Sequence, residues 1–122
     1  MDTVEPRISV EYAEDATIIT FTDEKILEDK DIRAIQESIM SVVEQGGRIK
    51  LVLDFCNVQF LSSAVLGLLI RVSKKVYEHE GELRLCNISP KIYKIFKITR
   101  LTNIFDIYEN LDGAVESLSI ED

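Results

Sequence analysis

Two adjacent hydroxyl side chains, Ser62 and Ser63, stand immediately before a run of apolar residues. Apolar side chains recur at steps of three and four from Val65 to Tyr77, which predicts an amphipathic helix beginning at the serines. A serine there can simply cap the helix by accepting a hydrogen bond from a free N–H group. It can also accept a phosphoryl group, because the added charge of about −1.5 to −2 is tolerated at the positive end of the helix dipole. The residues alone leave both interpretations open.

Other arrangements that could support catalysis are incomplete. A phosphate-cradling loop needs closely spaced glycines, and the segment from Asp54 to Ser63 contains none. His79, the only histidine, lies roughly 24 Å along the predicted helix from Ser63, too far for a serine–histidine dyad. Asp54 stands where a receiver domain carries its phosphoaccepting aspartate. The first two predicted strands, however, end without an obvious pair of acids to hold Mg²⁺, and the last predicted strand ends in Tyr108-Glu109 rather than in lysine. We interpret Asp54 as structural, accepting backbone hydrogen bonds in the following loop, and predict that the chain is not an enzyme.

The two cysteines, Cys56 and Cys86, are too few and too far apart to indicate a metal cluster. We expect both to be reduced, buried and apolar in character. The sequence therefore predicts no metal and no cofactor.

The patterns around these residues predict nine elements in the order β-β-α-β-α-β-α-β-α. Two β-branched runs at the start form a hairpin, and the unit from Leu51 to Cys86 forms a parallel strand-helix-strand crossover. This order predicts an α/β fold, a mixed four- to five-stranded sheet flanked by about four helices. The predicted strands lie at 8–12, 17–21, 51–54, 83–86 and 104–108. The first predicted helix has its apolar positions between Ile32 and Val43 and is ended by Gly46-Gly47, and the other helices lie at 63–79, 90–98 and 110–118.

The overall charge limits the classes of partner. The chain has 14 basic and 22 acidic residues, a net charge of −8 with His79 neutral, so we expect no direct binding to nucleic acid or to an anionic membrane. The longest apolar run, Ala64 to Ile70, is far shorter than the roughly 20 residues of a membrane span. The acidic N-terminus, Met1 to Glu5, lacks the features of a signal peptide, so we expect a cytoplasmic protein.

Charge is also distributed unevenly. Residues 71–100 carry eight basic and three acidic side chains. Lys91, Lys94, Lys97 and Arg100 are spaced by three along the predicted third helix. They form either a solvated helix face or a docking surface for an acidic partner.

The stretch from Val52 to Gly67, VLDFCNVQFLSSAVLG, resembles the motif region of STAS domains, specifically that of the small bacterial anti-sigma factor antagonists. The likeness continues through GELRLCNISP at 81–90, Ile95-Phe96 and LTNIF at 101–105. It covers essentially the whole chain in the expected element order. The resemblance implies the STAS fold in a single domain, residues 1–122, with a core of about 6–118.

In that family the usual motif is Asp-Ser-Ser-Gly, and a partner kinase that is also the anti-sigma factor phosphorylates the second serine. The resemblance implies that Ser63 is the phosphoacceptor, with Ser62 as second choice. The unphosphorylated protein would capture an anti-sigma factor of histidine-kinase-like ATPase fold and so free a sigma factor; a metal-dependent serine phosphatase would reset the switch. The implied partner-binding residues are Asp23, Glu24, Lys25, Ile26, Leu27, Leu61, Ser62, Ser63 and Ala64.

The motif departs from the family pattern at two positions, where Leu61 and Ala64 replace the aspartate and the glycine. Loss of the acid removes a charge beside the acceptor, and the Cβ of Ala64 stands where a partner backbone would approach. The alternative function is therefore a constitutive STAS scaffold or interaction domain in a signalling complex, without a serine switch.

Overall fold

A computed structural model describes residues 7–119 of the chain. The acidic N-terminal segment and the two ends of the predicted 1–122 domain, including Pro6 of its predicted core, lie outside the described residues. No helix within that range is both long enough and apolar enough to span a bilayer. In chain order, the elements are β1 (Ile8–Tyr12), β2 (Thr17–Phe21), β3 (Lys25–Ile26), α1 (Asp29–Gln45), β4 (Lys50–Asp54), β5 (Phe60–Leu61), α2 (Ser63–Glu78), β6 (Glu82–Cys86), α3 (Pro90–Ile98), a 3-10 helix (Leu101–Asn103), β7 (Ile107–Tyr108) and α4 (Leu111–Ser119).

Five of the strands form one mixed sheet in the order β1-β2-β4-β6-β7. The hairpin between β1 and β2 is antiparallel, and the remaining pairs are parallel. This confirms the predicted fold class, with a five-stranded mixed sheet and four α-helices. Strand β4 lies at the centre, which explains why Leu51, Val52 and Leu53 are all fully buried and form a continuous apolar run rather than an alternating one.

The two faces of the sheet are covered by different helices. Alternation along β4 places Leu51 and Leu53 in the larger core with apolar residues of α1, α2 and α3. Val52 points to the opposite face and packs with Ala114 and Leu118 of α4. The sheet is therefore a buried layer between helices, and its carboxyl-terminal edge supports the loops described below.

Two short strands were not predicted from the sequence. Strands β3 and β5 pair in parallel as a separate two-stranded ladder, with Lys25 opposite Phe60 and Ile26 opposite Leu61. Two residues are too few to show a periodicity of two, so nothing local distinguishes them from a loop. The pairing partner, which is distant in the chain, makes each segment a strand.

The strand predicted at 104–108 is shorter than expected. Only Ile107 and Tyr108 pair with β6, and the chain before them forms the 3-10 helix. Phe105 is buried and Ile104 is exposed, so the apolar-polar alternation there arises from a turn. This prediction was wrong in its boundaries because a tight turn and a strand can produce the same short pattern.

Candidate functional site

The two candidate phosphoacceptors occupy different environments at the start of α2. Ser63 is the first residue of the helix, and it is exposed. Ser62 is the N-cap residue, with extended backbone angles of φ −88° and ψ 164°, but its side chain makes no capping hydrogen bond. Its Oγ atom is buried without a hydrogen-bond partner. The capping interpretation is therefore wrong for the Ser62 hydroxyl, and Ser63 presents the accessible side chain.

The β3–β5 ladder brings the two predicted partner-binding segments together. The backbone N–H groups of Gln59 and Phe60 donate to the carbonyl oxygen of Glu24 at 2.8 and 3.1 Å, and the Ser62 N–H donates to the carbonyl oxygen of Ile26 at 3.0 Å. Backbone hydrogen bonds of this kind fix the two segments against each other. Residues 23–27 and 61–64 thus lie side by side around the beginning of α2.

The side chains on this surface differ in accessibility. Asp23, Leu61 and Ser62 are half-buried, and Leu61 packs against the larger core. Ile26 is 1% exposed and belongs to that core, so it anchors its segment and has no surface to offer a partner. The exposed residues of the predicted set are Glu24, Lys25, Leu27, Ser63 and Ala64.

An ion-pair network holds the segment that leads into β3. Arg7 donates to the Asp23 carboxylate at 2.9 Å and lies 3.1 Å from a carboxylate oxygen of Asp31. The hydrogen bond to Asp23, followed by the charges of both carboxylates, raises the pKa of the Arg7 guanidinium. Nearby, the Asn57 side-chain amide donates to the carbonyl oxygen of Phe21 at 3.0 Å. These contacts link both loops to the end of β2.

The sequence analysis missed Phe60 and its contact with Lys91, a residue that it placed only on the charged face of the third helix. Phe60 is 42% exposed, and the Lys91 ammonium lies 3.7 Å from the centre of its ring, within cation–π distance. Lys25 lies 5.6 Å from the same ring centre on the neighbouring strand. The available signal in the sequence was a second aromatic residue, after Phe55, in the loop that leads to the serines. The contact joins α3 to the segment that precedes Ser63.

Asp54 has the structural role that the sequence predicted. It is 5% exposed, and its Oδ1 accepts hydrogen bonds from the Cys56 backbone N–H and the Asn87 side-chain amide, both at 3.0 Å. Asn87 has a left-handed backbone with φ 59°, a conformation that asparagine tolerates better than most residues. Asp54 therefore ties the loop after β4 to the end of β6. Among residues 7–119, no group of three or more histidine, cysteine, aspartate or glutamate side chains is placed to hold a metal ion.

The remaining candidate residues lie apart from this surface or contribute to its support. Cys86 is buried as predicted, and burial, followed by the Asp54 charge, raises its pKa to about 12. Cys56 is exposed, so the prediction that both thiols are buried was wrong for this one, because it lies in the loop after β4. His79 is the half-buried C-cap residue at the opposite end of α2 from Ser63.

Comparison with known proteins identifies the family. The STAS domain family model matches residues 7–114. An anti-sigma-factor antagonist (STAS) domain protein from Planctomyces limnophilus has a similar structure, with a TM-score of 0.84, 21% identity, and coverage of 92% of this chain and 97% of the other. An anti-sigma factor antagonist from Mycobacterium paratuberculosis has a TM-score of 0.80 and 23% identity, with 92% of each chain covered.

A third similar structure is that of the Bacillus cell fate determinant SpoIIAA in its phosphorylated form. Its TM-score is 0.69 at 18% identity, with 90% of this chain and 97% of the other covered. At these identities the solved structures establish a shared fold, and the family match covers most of the chain. The chain belongs to the STAS domain family.

Proposed function

We propose that this STAS domain is an anti-sigma factor antagonist that acts as a binding module switched by phosphorylation of Ser63. In its unphosphorylated form it binds an anti-sigma factor of histidine-kinase-like ATPase fold, and a sigma factor is released in the cytoplasm. That same ATPase phosphorylates Ser63 and dissociates, and a metal-dependent serine phosphatase removes the phosphoryl group. The chain's own task is binding rather than catalysis.

The observation that carries this proposal is the exposed position of Ser63 at the first residue of α2, beside the ladder that joins residues 23–27 to residues 60–61. A phosphoryl group there meets the positive end of the helix dipole, so it can be added without unfolding the helix. The added charge alters the centre of the candidate binding surface. That one of the similar structures was determined in a phosphorylated form supports the proposal.

The geometry also favours Ser63 over Ser62 as the acceptor. The Ser62 Oγ atom is buried, so a kinase would have to displace the start of α2 to reach it. Ser63 needs no such movement because its residue is already exposed.

The test uses the histidine-kinase-like ATPases encoded in the same genome, each purified and incubated with this protein and ATP. Phosphopeptide mapping is expected to find the label on Ser63, and the Ser63→Ala variant is expected to stay unlabelled while Ser62→Ala is labelled normally. Label on neither serine with any of these ATPases would exclude the switch.

Binding of the same ATPases provides the second measurement. We expect Ser63→Asp to weaken the complex at least tenfold, or about 1.4 kcal/mol, and Ser63→Ala to leave it largely intact. Equal affinity of the two variants would contradict the switch.

A constitutive scaffold domain is the competing function, because Leu61 packs against the core where the family motif carries an acid. Stable binding to a purified STAS protein or signalling enzyme, with no labelling by any ATPase, would favour it.

A further inference from the structure

Helix α3 carries an unusual concentration of unpaired positive charge. Between Glu82 and Asp106 the sequence contains no acidic residue. Four cations of this region are exposed, namely Lys91, Lys94, Lys97 and Arg100. None of them forms an ion pair with residues 7–119, whereas four other cations of that range do, namely Arg7, Arg48, Lys75 and Arg84. The chain has 22 acidic residues, yet none of those described neutralises this helix.

An exposed apolar side chain lies among these charges. Ile98 is 80% exposed, although it is a large apolar residue. Residues three, four and seven positions apart lie on one side of a helix, so Lys91, Lys94 and Ile98 share a face. Lys97, which is exposed and three positions after Lys94, borders it, and we call these four residues the α3 face. The opposite side carries Ile92 and Phe96, which are buried in the core.

The α3 face is continuous with the surface around the start of α2. The Lys91 ammonium lies 3.7 Å from the centre of the Phe60 ring, and Phe60 belongs to β5, just before the serines. Phe60 is itself 42% exposed. A partner that covers the α2 surface can therefore extend over Phe60 and onto α3 without crossing a gap.

We propose that the α3 face is a docking site for a protein segment that presents acidic side chains around an apolar one, such as an acidic amphipathic helix. The unpaired ammonium groups supply the complementary charge, and Ile98 supplies the apolar contact. Charge attraction of this kind acts over about 8 Å at physiological salt, so the face attracts a partner locally although the chain as a whole is acidic. The inference goes beyond the proposed switch and does not require phosphorylation of Ser63.

A bilayer or a second copy of this chain is a less suitable occupant. A flat anionic membrane meets the whole molecule, whose net charge is −8, and repulsion from the acidic regions opposes the attraction of one helix. A second copy would bring the same net charge. A short acidic segment can contact α3 alone and so avoids the repulsion that a membrane or a second copy would meet from the rest of the molecule.

The test is a titration of the ¹⁵N-labelled protein with a synthetic helix of about 18 residues that has glutamates on one side and leucines on the other. We expect the largest amide shifts between Lys91 and Ile98, together with affinity that falls at least tenfold as salt rises from about 50 to about 300 mM. A peptide with the same composition but no apolar face serves as the control. It is expected to bind at least tenfold more weakly.

Charge-reversal variants locate the site. The double variant Lys94→Glu/Lys97→Glu is expected to bind the acidic helix at least tenfold more weakly than the wild type, and Ile98→Ser severalfold more weakly. The matched control Arg33→Glu/Lys74→Glu makes the same change in charge at two exposed cations on α1 and α2. It is expected to affect binding less than twofold, with circular dichroism confirming that every variant is folded.

Several results would overturn the proposal. Equal binding by the two double variants would show that only net charge matters, and shifts confined to residues outside α3 would place the site elsewhere. Sedimentation with phosphatidylserine vesicles in the absence of peptide binding would indicate a lipid surface instead. Self-association that is abolished by Lys94→Glu/Lys97→Glu would make a second copy the occupant. None of these results depends on whether Ser63 is phosphorylated.

Discussion

Replacement of Ser62 by alanine tests the unusual environment of its hydroxyl. A serine that caps a helix contributes about 1 kcal/mol, and its loss destabilises the protein by that amount. Here the Ser62 Oγ atom is buried without a partner, so the folded state already bears the desolvation penalty of an unpaired polar group, on the order of 1–3 kcal/mol. Removing the oxygen relieves part of that penalty and loses a few van der Waals contacts. We therefore expect Ser62→Ala to leave the free energy of unfolding unchanged or to raise it by up to about 1 kcal/mol.

Ser89 provides the matched control because it caps α3 in the usual way. Its Oγ accepts a hydrogen bond from the Ile92 N–H at 3.3 Å, and Pro90 begins the helix, as the sequence predicted. Ser89→Ala is expected to lower the free energy of unfolding by about 1 kcal/mol. The same substitution at two helix starts should thus have different effects.

Urea unfolding followed by far-ultraviolet circular dichroism measures both variants. With a urea dependence of about 1–3 kcal/mol per molar, a change of about 1 kcal/mol moves the midpoint by about 0.3–1 M. Ser89→Ala is expected to shift the midpoint down, and Ser62→Ala to leave it in place or shift it up. A downward shift of Ser62→Ala equal to that of Ser89→Ala would refute the reasoning and show that the hydroxyl caps α2 in solution.

Three further predictions concern the supports of the site. An added Cβ at Gly81 would stand 2.4 Å from the carbonyl oxygen of Ile49, so Gly81→Ala is expected to destabilise the protein by about 1–3 kcal/mol. The control is Gly67→Ala inside α2, where an added Cβ would meet the flexible Arg71 side chain at 3.4 Å, and it is expected to stabilise the protein by about 0.5–1 kcal/mol. Changes of the same sign for the two variants in thermal unfolding would contradict this prediction. Asp54→Ala removes two hydrogen bonds to a buried carboxylate and is expected to lower the free energy of unfolding by about 2–3 kcal/mol, measured by chemical denaturation. A loss below about 0.5 kcal/mol would contradict this prediction. The pKa of Cys86 is raised from 9.0 to about 12, so above pH 9 the unfolded chain loses a thiol proton that the native state keeps. The free energy of unfolding is therefore expected to fall as pH rises from 9 toward 12. Cys86→Ala should show a shallower fall over that window, and a pH dependence equal to that of the wild type would contradict the raised pKa.

The sequence predicted the regular elements well because their signals are local. The β-branched run from Thr17 to Phe21 and the apolar run at Leu51 to Leu53 correspond to β2 and β4, since strands buried in a sheet select such residues. Ser89 and Pro90 mark the start of α3 through the cap and the proline. These features depend on neighbours within one or two turns of chain.

Predictions that depended on distant neighbours were less successful. The burial of Ile26 follows from the pairing of its strand with β5, and the exposure of Cys56 follows from the path of the loop after β4. The sequence near each residue resembles an ordinary loop. The absence of a capping hydrogen bond from the Ser62 hydroxyl could not be predicted for the same reason. A serine before a helix has the same local sequence whether its hydroxyl faces the first turn or the protein interior.

The sequence by itself determined the order of the five strands of the main sheet and the four α-helices, the apolar faces that most of them bury, and the presence of a serine at the start of α2. Hydrophobic periodicity and capping preferences are properties of a few consecutive residues, so they can be read without the fold. Only the tertiary structure decided that Lys25 pairs with Phe60, that the Ser62 hydroxyl is buried while Ser63 is exposed, and that Lys91 joins α3 to this surface. Such contacts link residues tens of positions apart, and the packing of the whole core selects them.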